Sequence, residues 1–489
     1  MKKTVKILTV TVAFLIMCLA LTLVSSAESI AGIEQENAAT PAAIPVNAIQ
    51  VSGTILWEDE NGNTHPARNM KVSIFDNGSL SVITTTNSNG YYSASITSPF
   101  GGNSFYIVVE TSGLNVTVCD GYGNVCSITS STYSNAQIGS TVPLSCTFDN
   151  ETDEGEAASI HQALEMANRF IYSINGSYMN NIEVNFFDHS YYGYSTSEIY
   201  IEPDHAFDWD IVQHEYGHYV ADYFEIYHET ECMHSNYGNM TDYYQSKSGI
   251  DDAWDEGFAT YFAITVQREM SASSLGISGI GDLVYNDVNI ESCEYIYNLN
   301  LDLIQGEANA YSVAAILHDL TDTTSISDND MVSCGVSGIF GMIFDEYCDS
   351  ISSVASAVDS YYGRGKALDF GYTLTYFQVT PELISPSSFS SSVPPTFIWI
   401  NQGMSDYPND KFNLVFFDSD YNQILITPVI WADDDATSES TTSYTLAEAQ
   451  WNTIKSYAEN EDVYCCVRTT QTTSPITGPY YSAPVTITL

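Results

Sequence analysis

The sequence predicts a multi-domain chain in which an α+β region lies between two β-sandwiches. Three observations predict it. Residues 49–148 run as short alternating segments split by turns. From Glu156 onward, apolar residues recur at helical spacing. Beyond a Ser- and Pro-rich seam at 385–395, short alternating segments return. At about 150 residues per domain, a chain of 489 residues has room for three such units.

The N-terminus reads as an export signal. Lys2, Lys3 and Lys6 precede an uncharged apolar run from Ile7 to Val24, and Ser25, Ser26 and Ala27 supply small residues for cleavage. The run is also long enough for an uncleaved anchor helix. The small polar residues that follow favour cleavage after Ala27, which makes the protein secreted, with no membrane span left. Residues 28–46, rich in Ala, Pro and Glu, read as a linker.

The first sandwich is assigned to residues 47–150. Its strands are expected at Ile49–Trp57, Lys71–Phe75, Tyr91–Ile96, Ser104–Val109 and Val116–Val118. Cys119 and Cys126 flank Asp120-Gly-Tyr-Gly-Asn124, a hairpin turn, and are the pair expected to form a disulfide. The order Gly53-Thr-Ile, Asn61-Gly-Asn, Pro66 to Val72 and Asn89-Gly-Tyr91 resembles the carboxypeptidase regulatory-like (transthyretin-like) domain. That resemblance implies an accessory module rather than a catalyst.

Residues 151–382 form the α+β region. Ile160, Leu164, Ala167, Phe170 or Ile171, and Ile174 mark a first helix. Strands are expected at Ile182–Phe187 and Ser197–Ile201. Long helices follow near Trp209–Phe224, Ala253–Glu269 and Ala308–Thr321, with two shorter ones between Ser337 and Tyr376. Residues 383–489 return to strands, at Thr396–Trp399, Lys411–Phe417, Gln423–Ile426, Asp462–Val467 and Ala483–Leu489. Phe397-x-Trp399 and Gly478-x-Tyr-Tyr481 resemble fibronectin type III or immunoglobulin-like modules. Cys465 and Cys466 are adjacent on one strand, so they must face opposite ways.

Charge excludes several functions. Lys and Arg total 13 against 61 Asp and Glu, a net charge of −48. Such a surface does not hold nucleic acid through its phosphates, nor dock on an anionic membrane face. It suits either a saline habitat or a secreted protein with few sites for basic-residue proteases.

The chemistry sits in His214-Glu215-Tyr216-Gly217-His218. Residues four apart share one helix face, so both imidazoles can reach one ion. Glu215 beside them can take a proton from a water on that ion, and two neutral His suit Zn²⁺. A third protein ligand is required, and Glu256 in Trp254-Asp-Glu-Gly-Phe-Ala259 is the best candidate, with Asp255 the runner-up. Gly257 would let two helices approach closely. The pair of motifs, HExxH with a downstream E-G-x-A, resembles the gluzincin metallopeptidases, the thermolysin-like and aminopeptidase-like group. The resemblance implies His214, His218 and Glu256 as ligands of one catalytic zinc, with Glu215 as general base. The gap from His218 to Glu256 is longer than in the best-known members, which implies an insertion. The absence of a His six residues after His218 excludes the metzincin pattern.

Other groups are weaker. Tyr311 is the candidate oxyanion donor and His318 the alternative, both on the helix after the ligand helix. The strand Ser197–Ile201 can be read as an edge for extended substrate or as an ordinary sheet strand. His228, Cys232 and His234 could hold a second metal, but read better as loop residues. Residues 328–330 and 433–435 lack the oxygen-rich loop that a Ca²⁺ site needs, so Ca²⁺ has no support. There is no CxxC pair and no G-x-S-x-G elbow.

The function expected is a secreted zinc metallopeptidase, an endopeptidase by preference, acting on protein or peptide substrates. The sandwich modules would contact substrate, cell wall or surface partners. The alternatives are a non-catalytic surface adhesion protein on a peptidase-like fold, or a zinc hydrolase of a non-peptide amide or ester.

Overall fold

The computed structural model describes residues 47–97, 101–228, 247–285, 288–290, 306–322, 324, 331–404, 407–472 and 476–489. The expected export signal and linker lie outside the described residues, as do Cys232, His234 and residues 328–330. Among the described residues, no helix is long and apolar enough to cross a membrane. The protein is a multi-domain α+β chain with β-sandwich-like parts at both ends.

Two five-stranded sheets make the N-terminal part. One is built on the long strand Ala48–Glu58, which pairs antiparallel with Tyr91–Thr97. The other is built on Lys71–Asp76 and Asn103–Glu110. Ile49, Val51 and Ile55 from one sheet and Val72, Ile74 and Ile107 from the other are fully buried in a common core. Asp-led turns close the hairpins: Asp59 Oδ1 accepts the backbone N–H of Asn61 and Asn63, each at 2.9 Å. Asp120 does the same for Tyr122 and Asn124.

That second turn is where a disulfide was expected, and none forms. Cys119 and Cys126 are both free and buried. Register explains it. Cys119 bridges to Val125, so Cys126 is one residue out of step. Neighbours along a strand point to opposite faces, and Cys126 enters the core alone.

The strand Val116–Cys119 also departs from expectation. It does not belong to the N-terminal sandwich. It pairs in parallel with Ile182–Phe186, inside a five-stranded sheet that continues to Glu198–Ile201 and ends at Tyr191–Gly193. One continuous core therefore runs from the N-terminal sheets into the helices. Trp57 stacks on Trp209 at 6.0 Å, and the Trp209 indole donates to Ser159 Oγ at 3.1 Å.

Eight helices are described. Helix α1 spans Asp153–Asn175, capped by Thr152, whose hydroxyl accepts from Gly155 N at 3.1 Å. Its residues Ile160, Leu164, Ala167, Phe170 and Ile171 are buried, as the periodicity predicts. Helix α2 spans Trp209–Tyr223 and α3 spans Lys247–Glu269. Helix α4, Ala310–Asp319, is capped by Asn309, which accepts from Ser312 N at 3.0 Å. Between Val336 and Tyr376 the structure has three helices where the pattern suggested two: α5 at Val336–Glu346, α6 at Ile351–Tyr362 and α7 at Arg364–Tyr376. A reciprocal Ser350–Ser353 capping box restarts the chain as α6, and Gly363 at φ 86° separates α6 from α7.

The two larger sheets of the C-terminal part hold Thr396–Ile400 in one and Lys411–Phe417 and Val463–Gln471 in the other. Helix α8, Glu448–Ala458, adds Trp451 and Ile454 to their core, an element absent from the expected all-strand module. Cys465 faces this core and Cys466 faces Leu368 of α7, as their adjacency requires.

Candidate metal centre

Three helices build the site. Asp208 caps α2 by accepting from the N–H groups of Asp210 and Ile211 at 3.1 and 3.3 Å. Asp210 accepts from Gln267 of α3 at 2.7 Å. His214, Glu215 and His218 follow on α2 and are all buried. Helix α3 crosses α2 closely, because a Cβ on Gly217 would lie 2.8 Å from Ala259 Cα. Gly257 does the same for the next helix. A Cβ there would lie 2.5 Å from Val313 Cβ and 2.7 Å from the Ala310 carbonyl oxygen of α4.

This packing closes a triangle of donor atoms. His214 Nε2 is 3.1 Å from Glu256 Oε2, His218 Nε2 is 3.2 Å from Glu256 Oε1, and the two Nε2 atoms are 3.1 Å apart. A tetrahedral zinc with bonds of about 2.0–2.1 Å sets neighbouring ligand atoms about 3.3–3.4 Å apart, so the triangle fits such an ion. Among the described residues, this is the group of His, Cys, Asp and Glu able to hold a metal ion. The acidic residues 433–435 lie in an exposed turn.

The far sides of both imidazoles are held. His214 Nδ1 lies 3.2 Å from Thr260 Oγ1, and His218 Nδ1 lies 3.4 Å from the Tyr194 hydroxyl. With each Nε2 turned to the triangle, a metal bound there would leave each Nδ1 to carry the proton and donate outward, the tautomer a metal needs. His214 also stacks on Tyr285 at 5.3 Å. Thr260 was detectable, since it stands four residues after Glu256 on the same helix face. Tyr194 carries no such signal. It is delivered by the sheet, just past its last strand, and is braced by stacking on Tyr227 at 4.6 Å.

Electrostatics follow from this enclosure. Burial opposes charge on every member, yet the facing Glu256 carboxylate raises His218 to about 9. The two imidazoles in turn hold Glu256 well below the ordinary carboxylate range. Burial, reinforced by Glu256 and opposed by His218, pushes the Glu215 carboxyl up to about 7. The Tyr192 backbone N–H, on the sheet's terminal strand, faces that carboxyl.

The remaining expected residues fall as follows. Asp255 is not part of the triangle; its carboxylate accepts the His228 backbone N–H at 3.1 and 3.2 Å. His228 itself bonds the Asp349 carbonyl and pairs with Asp251 at 3.7 Å. Tyr311 is buried on α4, between the two residues that meet Gly257. His318 accepts from Arg268 Nη1 at 3.1 Å, about 18 Å further along α3 from Glu256 at a rise of ~1.5 Å per residue. The strand Glu198–Ile201 lies inside its sheet, and the edge is Tyr191–Gly193.

No protein-family model matches the chain, and no curated protein matches it.

Proposed function

We propose that this chain is a secreted, zinc-dependent metallopeptidase of the gluzincin type. The carrying observation is the buried triangle of His214, His218 and Glu256 with the buried carboxyl of Glu215 beside it. A purely structural metal site has no need of that carboxyl.

Zinc bound there would supply Lewis acidity toward a scissile carbonyl and a water. The chain's own residues divide the rest of the work. Thr260 and Tyr194 keep the two imidazoles in the ligand tautomer. Glu215, raised to about 7 by burial, takes a proton from water and returns it to the leaving amine near neutral pH. An extended peptide would align along the Tyr191–Gly193 edge by β-augmentation, beside Glu215. Tyr311 is the proposed oxyanion donor, on α4, whose Ala310 and Val313 pack against Gly257, the residue after Glu256.

The test is hydrolysis of casein by the purified chain at low and high salt, beside Glu215→Gln and a chelated sample. Cleavage lost in both controls, with zinc retained by Glu215→Gln, supports the reading. A chain that binds no zinc sinks it.

A further inference from the structure

A second site lies away from the metal, where the C-terminal sheet meets α6 and α7 across a cavity of about 320 Å³. The chain has five arginines, and two of them, Arg364 and Arg468, line this one cavity.

Arg364 is fully engaged. Its Nε and Nη2 donate to the two Asp359 oxygens at 2.8 and 2.5 Å, and its Nη1 donates to the Tyr481 hydroxyl at 2.6 Å. The guanidinium also lies 4.6 Å from the Tyr481 ring centre. Arg468 differs. It is half-buried on Val463–Gln471, directly opposite Tyr481 in the antiparallel pair. Among the described residues, no carboxylate or other acceptor engages its guanidinium.

Arg364 neutralises Asp359, so among the described residues Arg468 leaves the cavity with one unmatched positive charge, in a chain of net charge −48. A half-buried guanidinium with no acceptor among the described residues is open to an anionic ligand. The rest of the wall sets the polar Ser356, Ser360 and Tyr481 beside the apolar Ala355 and Pro479, while Phe370 and Leu374 are buried beneath it. The volume falls at the lower end of the roughly 300–1,000 Å³ of small-ligand sites. A guanidinium fork matches a carboxylate in two parallel bonds, and Pro479 and Ala355 can meet a short hydrocarbon group behind it.

We propose that this cavity binds a small carboxylate, held in two hydrogen bonds by Arg468, with its hydrocarbon part against Pro479 and Ala355. The C-terminal residue of a peptide and a free aliphatic acid both present this chemistry. The site is separate from the metal centre and does not depend on the peptidase reading.

Isothermal titration of the full chain with N-acetyl-leucine, hexanoate and N-acetyl-leucinamide tests it. Saturable one-to-one binding of an acid, with the amide at least about tenfold weaker, is expected. Arg468→Gln should weaken the acid about tenfold or more, and Arg468→Lys by less, because Lys keeps the charge but not the fork. Tighter N-acetyl-leucine would assign a peptide C-terminus, and tighter hexanoate a free acid. Circular dichroism establishes that each variant is folded, and Arg468→Lys carries the comparison if the Gln variant is not. No binding of either acid, equal binding of acid and amide, or unchanged affinity in folded Arg468 variants overturns the proposal.

Discussion

Gly217 meets Ala259 where the two ligand helices come closest, with no room for a methyl group between them: a Cβ on Gly217 would fall 2.8 Å from Ala259 Cα. One glycine inside the His-Glu-x-x-His motif thus sets the distance between two imidazoles on α2 and a carboxylate on α3.

Gly217→Ala should therefore act on both stability and metal. Overpacking is expected to cost about 1–3 kcal/mol, with a weaker metal affinity as the triangle opens. Gly341→Ala, at a helical position with open space around it, is the control and should be neutral or stabilising by up to about 1 kcal/mol. Denaturant titration and metal competition check the pair. Equal effects at both positions would contradict the packing argument.

Thr260→Val keeps shape and removes the acceptor for His214 Nδ1–H. Metal affinity should fall about 10–100-fold with little loss of fold. Tyr194→Phe should have a smaller effect, in keeping with its longer 3.4 Å contact. Competition against a chelating dye reads both, and unchanged affinity in Thr260→Val would show that His214 needs no outer partner.

Metal binding should release a proton near neutral pH. The His218 imidazole, raised to about 9 in the metal-free site, is protonated there and must lose that proton to bind. Affinity is therefore expected to rise with pH up to about 9 and to fall toward acid. Calorimetry in two buffers of different ionisation enthalpy counts the proton. A count of zero at pH 7 would contradict the assignment.

Glu307 gives stability its own pH dependence. Burial pushes its carboxyl up to about 7, against hydrogen bonds from Tyr480 and Thr477. The folded state thus binds this proton more tightly than the unfolded chain does. Its contribution is fully present below the unfolded value of about 4.5 and is lost as pH rises through about 7. The loss is on the order of 1–3 kcal/mol. Glu307→Gln should flatten stability over that window in denaturant titrations at pH 4.5, 6 and 7.5. A variant as steep as the wild type would locate the dependence elsewhere.

Much of the site was legible because its parts are local. The spacing of His214 and His218 is a property of one helix, and the buried face of α1 follows from its own period. The opposed faces of Cys465 and Cys466 follow from backbone geometry within two residues. The choice of Glu256 over Asp255 needed tertiary packing, since both lie on α3 and only the crossing with α2 selects between them.

The sequence by itself determined the helical ligand pair, the long helices around it and the two ends rich in strands, because these rest on periodicities of two and 3.6 residues that short segments carry alone. Only the tertiary structure decided what depends on register and long-range closure. It moved Val116–Cys119 into the central sheet, set Cys119 and Cys126 out of step, and put Tyr194 behind His218. It also joined Tyr480 to Glu307 and left Arg468 facing a cavity with Arg364. Contacts between residues far apart in the chain exist only when whole elements dock, and one residue of slip in a strand reverses every face.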